Sequence, residues 1–110
     1  MLFAVSHKAE ELRVLPGSQA IMSCVSETDV EIRKDKILIY SGGKFLNFVS
    51  SRLSLEHVGN HYYLVINNTS SEDSGVYDWF EAGGGRIIKS YQLNEDEGIL
   101  AVFSIVHIYV

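Results

Sequence analysis

The sequence predicts an all-β domain, an antiparallel β-sandwich, on three observations. Apolar and polar residues alternate over short runs, most clearly in His61-Tyr62-Tyr63-Leu64-Val65-Ile66. Turn signals recur roughly every 8–12 residues, the spacing of sandwich strands. No stretch sustains the 3.6-residue spacing with caps that a helix requires.

The elements follow in order. Residues 1–15 read as one or two short strands, ending with Leu12, Val14 and Leu15 before the turn Pro16-Gly17-Ser18. Residues 19–25 alternate, with Ala20, Met22 and Cys24 on one face. Ser26 to Asp29 is a polar turn, and residues 30–34 alternate again. Residues 37–40 form a short apolar strand. Ser41-Gly42-Gly43 breaks it, and 44–49 restarts. Residues 52–55 are brief, Val58-Gly59-Asn60 turns, and 61–66 is the best single strand. Residues 76–81 follow. Gly83-Gly84-Gly85 then makes a hairpin turn into 86–93. Asn94-Glu95-Asp96-Glu97 reads as a solvated acidic loop.

The expected division is a folded domain over 1–97 and an apolar C-terminal segment over 98–110. That segment has no formal charge apart from His107. It is shorter than the ~20 residues a spanning helix needs. Two readings stay open for it: a buried terminal strand, or the start of a membrane span.

A chain of 110 residues is one domain's worth. With 46% apolar and 21% charged residues it can build a core. The net charge of −5, without a basic stripe, argues against a nucleic-acid partner. One cysteine, Cys24, excludes an intrachain disulfide. Met1 to Val5 is apolar, but it is too short and lacks the basic flank of a signal peptide.

Residues 52–79 carry the most information. Arg52 opens a strand, and 21 residues later comes Asp73-x-Gly75-x-Tyr77-x-Trp79. An Arg–carboxylate pair can be bidentate, which favours Arg over Lys at such a site. Gly75 permits the turn into the next strand. Tyr77 can bury its ring and return its hydroxyl to the backbone upstream.

This pattern resembles the tyrosine corner of the immunoglobulin superfamily, and the resemblance covers about residues 1–94. Residues 15–24 are similar to the turn and second strand of that family, and Val30-x-Ile32-x-Lys34-Asp35 to its third. The Arg52–Asp73 pair and the additional strands at 37–49 resemble a variable or intermediate type. The centre departs from the pattern: Trp79 stands where the second cysteine belongs, and Ile32 where the tryptophan belongs. The two changes compensate if Trp79 fills the shared volume and Cys24 serves as a small buried hydrophobe.

Catalysis has little to stand on, and no catalytic residue, cofactor or metal ligand is assigned. His57 and His61 are four apart, but a Gly-Asn turn separates them, which does not make a metal site. Cys24 is expected inside, where a thiol is inert. The glycine triplet lacks the Lys-Ser/Thr of a phosphate loop. Two overlapping sequons, at Asn67 and Asn68, mark candidate glycosylation sites in a secreted chain.

Alternation supplies a candidate binding face. If Tyr77 and Trp79 point inward, Asp78 and Phe80 point outward. If Ile32 points inward, Arg33 points outward, and the neighbouring strand presents Tyr40 or Leu38 beside it. Arg33, Tyr40, Asp78 and Phe80 are thus the expected partner-binding residues. The resemblance implies a non-enzymatic recognition or adhesion module of a cell-surface or secreted protein. Its partner is another protein, possibly a second copy of itself. The alternative it implies is an intracellular cytoskeletal or muscle-type module. The sequons and the apolar end favour the surface, and the missing disulfide favours the cytosol.

Overall fold

The structure, a computed structural model, describes residues 8–83 and 85–96. It is all-β apart from one 3₁₀ turn at Ser71–Asp73. Among the described residues nine strands run in chain order: β1 (Glu10–Val14), β2 (Ala20–Val25), β3 (Val30–Lys34), β4 (Ile37–Ser41), β5 (Lys44–Phe45), β6 (Leu53–Val58), β7 (His61–Ile66), β8 (Gly75–Glu81) and β9 (Ile87–Glu95). A six-stranded sheet has the order β1-β9-β8-β3-β4-β5, and a three-stranded sheet the order β2-β7-β6. Every pairing is antiparallel except β1 with β9, which is parallel.

Strand periodicity produces the core. Ala20, Met22 and Cys24 alternate inward along β2, Tyr62, Leu64 and Ile66 along β7, and Tyr77 and Trp79 along β8. Trp79 is 0% exposed and pairs in register with Ile32, also 0% exposed. Cys24 lies in the same cluster as a free thiol, and burial pushes its pKa up. The indole N–H of Trp79 finds no acceptor among the described residues.

The β3–β4 hairpin turns on Asp35 and Lys36, both at positive φ, the two-residue geometry that matches strand twist. Asp35 exchanges hydrogen bonds with the start of β8: its N–H donates to the Val76 carbonyl at 2.8 Å, and its carboxylate accepts from the Val76 N–H at 2.9 Å. Gly75 sits against it at φ +152, and a Cβ there would lie 2.6 Å from an Asp35 oxygen.

Three expectations are corrected here. β5 is only two residues long, so 46–49 is a connection. β6 continues through Val58, and the turn is Gly59-Asn60. The acidic stretch is not wholly a loop: Asn94 and Glu95 belong to β9 and pair with Arg13 and Val14 of β1. Among the described residues no helix is long and apolar enough to cross a membrane. The segment 98–110, His7 and His107 lie outside the described residues.

Candidate functional site

Side chains on the outer side of the six-stranded sheet come from β3, β4, β8 and β9. On β8, Tyr77 and Trp79 are buried, so Asp78 and Phe80 face the other way and are half-buried. Registers set Arg33 opposite Asp78, and Glu31 opposite Phe80. Arg33 is therefore a diagonal neighbour of Phe80, and its guanidinium lies 4.7 Å from the ring centroid. Such a cation–π contact contributes about 0.5–1 kcal/mol near a surface. It also covers part of the Phe80 ring, which explains why Phe80 is half-buried rather than fully exposed. Asp78 is held by a 2.5 Å hydrogen bond from the Ser90 hydroxyl on β9. None of the ion pairs among the described residues involves Arg33. Its N–H donors stay available at the edge of the stack.

Tyr40 does not join this face. It is 9% exposed and belongs to the core, edge-on to Phe45 at 5.0 Å. The cause is a β-bulge. Ile32 pairs with Tyr40, but the next pair is Arg33 with Leu38, so Ile39 is an extra residue. Two residues of β4 then oppose one of β3, and both Ile39 and Tyr40 turn inward. Leu38, half-buried opposite Arg33, takes the outward place. Alternation offers Tyr40 and Leu38 together, and the bulge is what separates them.

The base of the sandwich holds the second constellation. Arg52 grips the Asp73 carboxylate with two bonds, of 2.7 and 3.0 Å. It also donates to the carbonyls of Asn67 and Asn68, at 3.1 and 3.0 Å, and to Glu72 at 3.0 Å. The Asp73 side chain is 7% exposed. Burial works to raise its pKa. The Arg52 bonds and the Ser70 N–H, 2.8 Å away, outweigh burial and hold the carboxyl below its usual range. Asp73 in turn raises the pKa of Arg52. The Tyr77 hydroxyl donates to the Asp73 carbonyl at 2.5 Å, and burial pushes its pKa well up. The Arg52, Asp73 and Tyr77 side chains are satisfied by one another and by neighbouring backbone, so the cluster closes the fold.

Asn67 and Asn68 are exposed on the connection after β7. The Asn67 side-chain oxygen accepts from Gln19 at 2.9 Å. Asn68 adopts φ +50. The hydroxyls of both sequons are turned into the fold: Thr69, 3% exposed, donates to the Leu15 carbonyl at 3.1 Å, and the Ser70 oxygen is buried. His57 and His61 sit on different strands, and His57 stacks on Tyr62 at 3.9 Å. Among the described residues no group of three or more His, Cys, Asp or Glu is placed to hold a metal ion.

No protein-family model and no curated protein sequence matches the chain. Solved structures do match. Domain I10 of titin is 22% identical over 82% of this chain and 93% of its own, with a TM-score of 0.61. A structure of the ZIG-8–RIG-5 IG1-IG1 heterodimer is 16% identical over 80% of this chain and 82% of that chain, with a TM-score of 0.66. The extracellular fragment of novel immune-type receptor 11 from Ictalurus punctatus is 18% identical over 82% and 86%, with a TM-score of 0.67. At these identities the likeness shows the fold: an immunoglobulin-like β-sandwich. That fold occurs both in titin and in the extracellular fragment of an immune-type receptor.

Proposed function

We propose that this immunoglobulin-like sandwich is a non-enzymatic recognition module that binds a protein through the outer face of β3, β4, β8 and β9. The observation that supports it most is the Arg33–Phe80 stack, with the guanidinium 4.7 Å from the ring centroid and without an ion pair, at the middle of a sheet face. An aromatic side chain beside an unpaired arginine is the composition of an interaction hot spot. Leu38 adds apolar area, and Asp78 and Glu31 supply a polar rim that orients a partner. The cell-surface or secreted setting rests on the sequons at Asn67 and Asn68, whose side chains are exposed. With their hydroxyls inside, a glycan there is added before the chain folds. The intracellular, scaffolding reading is favoured by one observation, the single buried thiol.

The test is Phe80→Ala, read against a partner captured by cross-linking to the wild-type domain on intact cells. Truncating a central aromatic should weaken binding by roughly thirtyfold or more, about 2 kcal/mol, with the melting temperature nearly unchanged. Unfolding of Phe80→Ala would assign the ring to the core. Full binding would move the site, most plainly to the loops at 27–30 and 82–85.

A further inference from the structure

An unpaired strand edge joins another chain unless something guards it. Among the described residues four strands end a sheet, and three are guarded. β1 carries Glu10, Glu11 and Arg13, with Arg13 ion-paired to Glu11 and Asp96. β2 has its outward backbone closed at Ser23: the Tyr91 hydroxyl accepts from the Ser23 N–H at 3.1 Å and donates to its carbonyl at 2.6 Å. β5 is two residues long. β6 is the exception. It has six residues, one charge (Glu56) and no proline, and it pairs only with β7.

The phase of its hydrogen bonds is fixed. The Asn67 N–H donates to the Arg52 carbonyl at 3.0 Å. Ser54, Glu56 and Val58 then turn their backbone groups to β7, and Leu53, Leu55 and His57 turn theirs to the open edge. The Leu53 N–H is taken by the Ser50 carbonyl at 3.2 Å. The inner side chains Leu53 and Leu55 pack on the core but stay partly exposed. Beside Leu53 opens a cleft of about 240 Å³ with Ile39, Phe48, Val49 and Tyr77 in its walls. Phe48 at its lip is 66% exposed, and Val58 on the strand is 69% exposed.

We propose that β6 is a self-association edge, at which two copies pair β6 with β6, antiparallel, about a two-fold axis at Leu55. The strand's own sequence selects a second copy. Antiparallel partners share a face, so the axis must pass through a residue. Centring on Leu55 sets Leu55 against Leu55, Leu53 against His57, and Ser54 against Glu56. Centring on Glu56 sets two carboxylates directly opposite each other, which is destabilising. Centring on Ser54 forms fewer pairs. The favoured register places outward backbone groups at its centre and joins two three-stranded sheets into one. This surface is separate from the Phe80 face.

Sedimentation velocity on the 110-residue chain, from about 10 μM to 1 mM, reads the dimer. Amide exchange by NMR in the same range reads the edge. We expect a concentration-dependent dimer and protection of the Leu55 amide that grows with concentration. The amides of Ser54 and Glu56, bonded to β7, should be protected throughout. His57→Pro removes an N–H that faces the edge and should weaken the dimer at least tenfold. Ser54→Lys puts an ammonium opposite Glu56 of the other copy and should tighten it about threefold to tenfold, whatever His57→Pro does to folding. Phe80→Ala should leave it unchanged. A chain that stays monomeric overturns the proposal. So does a dimer indifferent to both β6 variants, or one lost with Phe80→Ala. A Leu55 amide protected only when an extended foreign peptide is added overturns it too.

Discussion

Replacing Arg52 by Met keeps the aliphatic stem and removes the guanidinium. Five hydrogen bonds go with it. The one to Glu72 counts for little, since that side chain is 76% exposed. The two to Asp73 count most, because they leave a carboxylate 7% exposed without its counter-ion. Breaking a buried pair from one side costs about 3–5 kcal/mol. For a domain of this size that lowers the melting temperature by more than about 10 °C. Urea denaturation followed by the fluorescence of Trp79, the one tryptophan, measures the cost directly. The loss must also depend on pH. In the wild type, Asp73 titrates below its ordinary value of 3.8. Its contribution is therefore complete above that value and is lost as pH falls through the lower, folded one. In Arg52→Met the Ser70 N–H and Lys34 still favour the carboxylate, but the guanidinium no longer offsets burial, and protonation relieves the stranded charge. The two stability curves should therefore converge as pH falls below 3.8 and through the lower, folded value. A cost under 1 kcal/mol, or a gap that does not narrow in acid, refutes the reasoning.

The other substitutions probe the core and its turns. Trp79→Ala should cost about 3–5 kcal/mol in the same denaturation, read by circular dichroism. Trp79→Phe should cost distinctly less, because it removes an indole N–H that has no acceptor. Gly75→Ala should destabilise by about 2 kcal/mol or more, from the clash with Asp35 and the strained φ, and Asp35→Ala should rescue only part of it. Tyr77→Phe removes the bond to Asp73 and should cost about 1 kcal/mol at neutral pH. Because burial raises the Tyr77 pKa above 10.0, its contribution is present below that pH and falls as pH rises further, so alkaline unfolding should be flatter in Tyr77→Phe.

Alternation made most of the sandwich legible. Inward rows such as Ala20-Met22-Cys24 and the outward Asp78–Phe80 pair follow from period two alone. The Arg52–Asp73 grip was legible through the resemblance that Asp73-x-Gly75-x-Tyr77 carries, which sets a strand-opening arginine beside the turn. Tyr40 was not, because a bulge changes phase without changing composition. The guanidinium over Phe80 was hidden too, since diagonal neighbours depend on register rather than on either strand's own sequence. Glu95 misled for a related reason. Its N–H is taken by the Ser74 hydroxyl, and an acidic run says nothing of such a partner.

The two sheets are joined without a covalent tie, and the replacements differ in kind from a disulfide. A bridge closing a loop of about 55 residues would stabilise by roughly 4 kcal/mol in the chain-entropy model, mostly by restricting the unfolded chain. Here the ties act on the folded state alone. Trp79 and Ile32 fill the centre beside Cys24. The Tyr91 hydroxyl crosses from β9 to the Ser23 backbone of β2, and Arg52 crosses from the start of β6 to Asp73. Hydrogen bonds of this sort contribute about 0.5–1.5 kcal/mol each, more when charged. Two or three of them with a well-filled core offset the missing bridge in magnitude, while the unfolded chain keeps its full freedom. Stability in this domain is therefore indifferent to reductant and sensitive to single side chains, above all Trp79, Tyr91 and Arg52.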